Sequence, residues 1–153
     1  MKARATIICS RDGKVLLVAR TRARWSLPGG TIKRSESPLD AAQRELEEET
    51  SLVGTDVTYL FQFGGLSKRH LVFFVDLPQD AFPEPRNEIS RCRWFSPTKI
   101  STLVTSIPTW EIVNLFTTHE ESVGTSSSTG YGADRAIHPI EPPPARLNAN
   151  VTW

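Results

Sequence analysis

Apolar residues fall in short runs along the first 120 positions, and the period within each run predicts what it forms. Residues 3–9 and 14–19 are rich in Ile, Val and Leu and are separated by Ser10-Arg11-Asp12-Gly13. Asp-Gly between two such runs predicts a β-hairpin. Ser26-Leu27-Pro28-Gly29-Gly30 reads as a turn cluster. A helix is expected next: Ser37 suits the N-cap and Pro38 the first helical position. Helix formers then run from Leu39 to Glu49 without Gly or Pro. Leu39, Ala42 and Leu46 share a flank suited to a sheet. Two more strands are predicted at 57–63 and 70–77. In the second, Leu71-Val72-Phe73-Phe74-Val75 is continuously apolar, as in a strand buried on both faces. A proline-rich loop at 78–85 precedes a short strand at 92–95. Trp110, Ile112, Val113, Leu115 and Phe116 then fit an amphipathic helix over 108–119.

Strands interleaved with two helices predict an α/β (α+β) fold, with helices flanking a mixed sheet. The expected domain is 1–120. After Glu120 the chain turns Ser/Gly/Thr-rich and then proline-rich, too poor in large apolar side chains to offset its ordering entropy. A flexible tail is expected over 121–153.

Composition adds little to that picture. At 153 residues, 39% hydrophobic and with net charge +1, the chain has the make-up of one ordinary globular domain. Near-neutral charge gives no general reason to expect nucleic acid or membrane as partner. Cys9 and Cys92 stand apart from other metal-ligating residues, so buried reduced thiols are expected. The N-terminal apolar run is too short for a signal peptide or a span. A cytoplasmic location follows as the expectation, with oligomeric state open between monomer and homodimer.

Chemistry enters with the acidic helix. Residues turn by about 100° each on a helix, so Glu45, Glu48 and Glu49 share one face while Glu47 points toward solvent. Three like charges on one face repel, and Arg44 relieves part of this. A hard cation would relieve the rest, magnesium taking one or two carboxylates together with waters and phosphate oxygens. Glu36 adds an acid from the preceding loop.

The order Gly30, five residues, Glu36, seven residues, Arg44-Glu45-Leu46, one residue, Glu48-Glu49, one residue, Ser51-Leu52 resembles the box of the Nudix hydrolase family. Trp25-Ser26-Leu27-Pro28-Gly29 resembles the family's approach to that box. Ser51 stands where the family has a second glycine, a position that implies a left-handed residue at a cost of about 1 kcal/mol for serine. The resemblance implies an α/β/α sandwich. It implies hydrolysis of a nucleoside diphosphate linked to another moiety, with Mg2+ or Mn2+ as cofactor and a small nucleotide as partner. Glu45, Glu48, Glu49 and Glu36 would hold or support the metal. Glu48 would act as base, Arg44 would orient the acids, and Gly29 and Gly30 would let backbone approach the site.

Other residues carry weaker expectations. Glu88, before Trp94-Phe95, is weighed evenly between a late metal-site acid and a surface glutamate. Arg20, Arg22 and Arg24, with Lys33 and Arg34, are candidates for phosphate contacts, since guanidinium forks match phosphate oxygens. Trp25, Phe61 and Phe63 fit the core better than base stacking. His70 is expected to be a structural histidine. The competing functions are a non-catalytic nucleotide sensor and a hydrolase of a non-nucleotide pyrophosphate such as a diphosphoinositol phosphate. Substrate identity stays open.

Overall fold

A computed structural model describes the backbone of residues 1–127 and the side chains of residues 1–120. Its elements are β1 Lys2–Arg11, β2 Lys14–Arg20, β3 Gly29–Thr31, α1 Pro38–Thr50, β4 Thr58–Gly64, β5 Lys68–Asp76, β6 Ile89–Phe95, α2 Pro97–Ile100 and α3 Ile107–Ser127. The strands form one mixed sheet in the order β4-β5-β1-β2-β6, with β3 also paired to β1. Among the named strands, β1 and β5 form the parallel pair, from Lys2↔Lys68 to Ser10↔Asp76.

The first hairpin closes as predicted. Ser10 faces Val15 and Arg11 faces Lys14. Asp12 and Gly13 both take positive φ, 52° and 74°, the conformation of a two-residue type I′ turn. Past those two pairs β1 and β2 diverge. β2 goes on to pair with β6, while β3 takes the freed edge of β1 at Arg4, Ala5 and Thr6. The segment expected as a mere turn cluster is thus a wedge in the fork between two strands. Its backbone is tied to both, by Ile7 N–H to Pro28 O at 2.9 Å and a reciprocal pair between Val18 and Ser26.

Helices cover both faces, so the strands bury both sets of side chains. Ala5, Ile7, Cys9, Leu71, Phe73 and Val75 pack with Ala41, Ala42 and Leu46 of α1. The alternate positions Ile8, Leu17 and Val72 pack with Ile112, Val113 and Phe116 of α3. This explains why 71–75 reads as continuously apolar. Two expectations are corrected. Leu39 is exposed, whereas Ala41 is buried in the core on the sheet. Trp110 and Leu115 are also exposed, so α3 buries a narrower stripe than its composition suggests.

α3 continues past His119 to Ser127. The rest of the expected tail, from 128 to 153, lies outside the described residues. Among the described residues no helix is long and apolar enough to cross a membrane.

Both ends of α1 follow from local chemistry. The Ser37 hydroxyl accepts from the Asp40 amide at 3.1 Å, and Pro38 opens the helix. Ser51 ends it in the left-handed conformation, φ 65°, donating its N–H to Glu47 O. The expected cost at this position is therefore present. Ser51→Gly should stabilise the domain by up to about 1 kcal/mol, less whatever the Ser51 hydroxyl contributes through Glu84 O at 3.2 Å. Chemical denaturation of the two proteins measures this.

Candidate metal and phosphate site

Arg44 is the centre of the acidic face. Its Nε donates to Glu36 Oε2 at 2.6 Å and its Nη2 to Glu36 Oε1 at 2.9 Å, a forked pair. Its Nη1 donates to Glu45 Oε1 at 2.8 Å and Glu48 Oε2 at 3.1 Å. Nη2 also reaches Thr31 O in β3 at 3.2 Å. One guanidinium therefore joins the loop acid, two helix acids and a strand carbonyl. Its pairing with Glu36, above all, raises its own pKa and lowers that of Glu36. Glu36 also accepts from Lys33 N–H at 3.1 Å. With both oxygens on Arg44, Glu36 braces the loop. Glu47 is exposed, as expected from its position on the helix.

Glu49 is buried, facing the β3 wedge. Its Oε2 accepts the Gly29 N–H at 3.1 Å. Burial is the main cause that pushes its carboxyl up to about 7, with the Gly29 bond and the charge of Arg4 opposing and the charges of Glu45 and Glu88 adding. A bound cation would favour its ionised form against that burial.

The two glycines serve distinct purposes. A Cβ on Gly30 would stand 2.3 Å from the Glu45 carboxylate, so the missing side chain is room for Glu45 itself. A Cβ on Gly29, at φ 152°, would stand 2.1 Å from the Ala5 carbonyl oxygen. The expected role, letting backbone approach the site, is refined accordingly: these glycines let the site's own elements approach each other.

A loop distant in sequence closes the end of α1. Glu84 N–H bonds Thr50 O and Arg86 N–H bonds Glu49 O, at 2.8 and 3.2 Å. Asn87 Nδ2 bonds Glu48 O at 2.8 Å. The last turn of α1 carries no basic residue, and these donors take its otherwise unpaired carbonyls. They also bring Glu88 to the acidic end, where it pairs with Arg20 at 3.1 Å, both side chains more than half exposed. Arg22 is exposed at φ 60°, and Arg24 lines a cavity on the other side of the wedge.

That cavity, about 610 Å³, lies between the start of α3, the β4–β5 turn and the first residues of β1. Arg4, Thr6, Phe63 and His70 are on its walls, with Arg24, Lys68 and Glu111. Arg4 escaped the reading of the sequence. Its signal was the alternation of Arg4 and Thr6 with the apolar Ala3 and Ala5, which marks one polar position of β1 turned away from α1. Trp25 packs edge-on to Phe95 at 5.0 Å, and Phe61 and Phe63 pack against the α3-side core. His70 is structural as expected: buried, with Nδ1 2.9 Å from the Thr6 hydroxyl. Cys9 and Cys92 are free thiols, and burial pushes Cys92 up to about 11.

Burial, then the charges of Arg4 and Lys68, push His70 down from 6.5 to about 4. Between those values the unfolded chain binds the proton and the folded one does not. Stability is therefore expected to fall as pH drops from 6.5 toward 4, by at most about 3 kcal/mol. Melting temperatures across that window should show a shallower fall for His70→Gln than for the parent chain.

Among the described residues no group of three or more His, Cys, Asp or Glu side chains is placed to hold a metal ion. What the helix offers is an open face of hard oxygen donors, which suits a cation that keeps waters and shares phosphate oxygens.

Comparisons with known proteins agree with this architecture. Residues 1–115 match the family model described as NUDIX domain. The chain is 34% identical over 104 residues to the mRNA-decapping enzyme subunit 2 of Saccharomyces cerevisiae (strain YJM789), covering 63% of this chain and 11% of that protein. It thus spans about a tenth of the length of this yeast relative. It is 30% identical over 113 residues to the uncharacterised Nudix hydrolase YfcD of Escherichia coli (strain K12), covering 66% of this chain and 63% of that protein. The solved structure of a protein from Chromobacterium violaceum, described as a nudix hydrolase family member, superposes with a TM-score of 0.70 at 27% identity. That match covers 85% of this chain and 89% of the other. The family match begins in β1 and reaches into α3, taking in the wedge, the acidic helix and the loop that closes it: the chain belongs to the NUDIX domain family.

Proposed function

We propose that this protein is a divalent-metal-dependent pyrophosphohydrolase that cleaves a nucleoside diphosphate linked to another moiety. The observation that carries the reading is the array on Arg44: one guanidinium holds Glu36, Glu45 and Glu48, beside a buried Glu49 whose carboxyl is raised by that burial to about 7. Glu45, Glu48 and Glu49 would hold Mg2+ or Mn2+, and Glu36 supports them through Arg44. Bound there, the cation would neutralise phosphate oxygens and make a water more acidic. Glu48 is the most exposed of the bonded acids, with its side chain 46% accessible, and is the group best placed to take a proton from attacking water. Arg44 keeps Glu45 and Glu48 in register. The Gly29 amide fixes one oxygen of Glu49.

The reading is supported by family membership and by the activities for which relatives are named. The yeast relative is named for mRNA decapping, so the substrate panel that tests the proposal should include a capped RNA oligonucleotide. Nucleoside triphosphates, dinucleoside polyphosphates, nucleotide sugars and diphosphoinositol phosphates complete it. Release of phosphate, pyrophosphate or nucleotide from at least one member, abolished by EDTA and restored by Mg2+ or Mn2+, is the expected result. Binding without turnover on every member would instead make the protein a sensor.

A further inference from the structure

Gly29 lies between Arg4 and Glu49, which attract each other through their charges and are also linked through its backbone. On one side its N–H donates to Glu49 Oε2 at 3.1 Å. On the other its carbonyl accepts from Arg4 Nη2 at 2.9 Å. Arg4 belongs to the wall of the 610 Å³ cavity, whereas Glu49 belongs to the acidic helix. The residue that carries both groups has little backbone freedom. Gly29 is paired to Thr6 across β1–β3, and the space where its Cβ would stand is filled by the Ala5 carbonyl. A pull on its carbonyl must therefore be felt at its amide.

We propose that Arg4 is a positioning residue: by holding the Gly29 carbonyl from the cavity, it sets the Gly29 amide on Glu49 and makes the acidic site responsive to an anion in the cavity. A guanidinium carries five N–H donors in a fixed fork, and the one side-chain hydrogen bond Arg4 makes among the described residues is to Gly29. Arg4 lines a cavity that carries two more cations, Arg24 and Lys68, against one acid, Glu111. Such walls suit a phosphate-bearing ligand. An oxyanion drawn to the fork shifts the guanidinium, and with it the strength of its hold on Gly29. The inference rests on the reading of Glu49 as part of the active site, but its first test does not require turnover.

The probe is inorganic phosphate titrated into the metal-free, 15N-labelled full chain, read at the Gly29 amide by NMR. In the parent protein that resonance should move as phosphate binds. In Arg4→Gln it should start from a displaced position and no longer respond, and Arg4→Lys should recover part of the response. A Gly29 amide unchanged by Arg4→Gln, or indifferent to phosphate in the parent chain, overturns the proposal. For any panel substrate the parent protein turns over, Arg4→Gln should lower kcat by about 10- to 100-fold, as removal of a group supporting a metal ligand does, with partial rescue in Arg4→Lys. A loss confined to KM would assign Arg4 to ground-state binding and overturn the positioning role. If the parent protein turns over nothing, the pyrophosphohydrolase reading fails while the NMR result still decides the role of Arg4.

Discussion

Glu48→Gln is expected to lower kcat by about 10²- to 10⁴-fold, the range over which a positioned general base contributes, with the melting temperature within a few degrees of the parent. The structural grounds are specific. Glu48 is half-exposed, and its side chain's bond within the site is the shared one from Arg44 Nη1 at 3.1 Å. A glutamine keeps an oxygen able to accept that bond, so the array around Arg44 persists. Its backbone carbonyl, held by Asn87, is untouched by the change. The amide cannot take a proton at neutral pH and is a poorer ligand for a hard cation. Turnover of the panel substrate, measured beside a thermal melt, separates loss of chemistry from loss of fold. Unreduced turnover would remove the base assignment and leave Glu48 as a spectator of the Glu36–Arg44–Glu45 brace.

The second large effect distinguishes the two adjacent glycines. Gly30→Ala places a methyl 2.3 Å from the Glu45 carboxylate. That group is the end of a flexible side chain, so it swings away and the fold survives. In doing so it leaves the 2.8 Å bond to Arg44. Misplacement of a catalytic group by about 1 Å can cost about 10² in rate, so turnover should fall at least about 100-fold with little change in melting. Gly29→Ala meets backbone instead, the Ala5 carbonyl at 2.1 Å, and does so at a positive φ of 152°. Neither strand can yield without parting β1 from β3, and destabilisation of about 3 kcal/mol or more is expected. Circular dichroism melts and single-substrate kinetics on the two variants test the pair together. Two inactive but equally stable variants would refute the separation.

Much of this architecture was written in local patterns. The Asp12-Gly13 turn, the Ser37–Pro38 helix start and the run 71–75 each depend on residues within a few positions of one another, and each was placed correctly. The face shared by Glu45, Glu48 and Glu49 follows from helical period alone. So does the outward direction of Glu47. The exit at Ser51 was also legible, because a left-handed residue is needed wherever this helix stops.

Features that depend on chain segments meeting were not legible in this way. The β3 wedge is three residues long, shorter than any pattern of alternation can reveal, and it exists because β1 and β2 part after two pairs. Leu39, Trp110 and Leu115 fit the core by type and spacing, yet the packed helices leave them exposed. The even weighing of Glu88 ended in a solvent-exposed pair with Arg20, set by a loop whose backbone caps α1 from 34 to 37 positions beyond its own contacts (Glu84 to Thr50 and Arg86 to Glu49).

What the sequence determined by itself is the acidic helix: which carboxylates share a face, which arginine neutralises them, and where the helix begins and ends. All of that is set by bond geometry within one turn or two. Only the tertiary structure decided that Gly30 makes room for Glu45, that Glu49 is buried, and that Gly29 bonds Glu49 with its amide and Arg4 with its carbonyl. Those depend on β1 passing within van der Waals reach of the wedge, and the distance between two strands is a property of packing that no spacing of residues along the chain encodes.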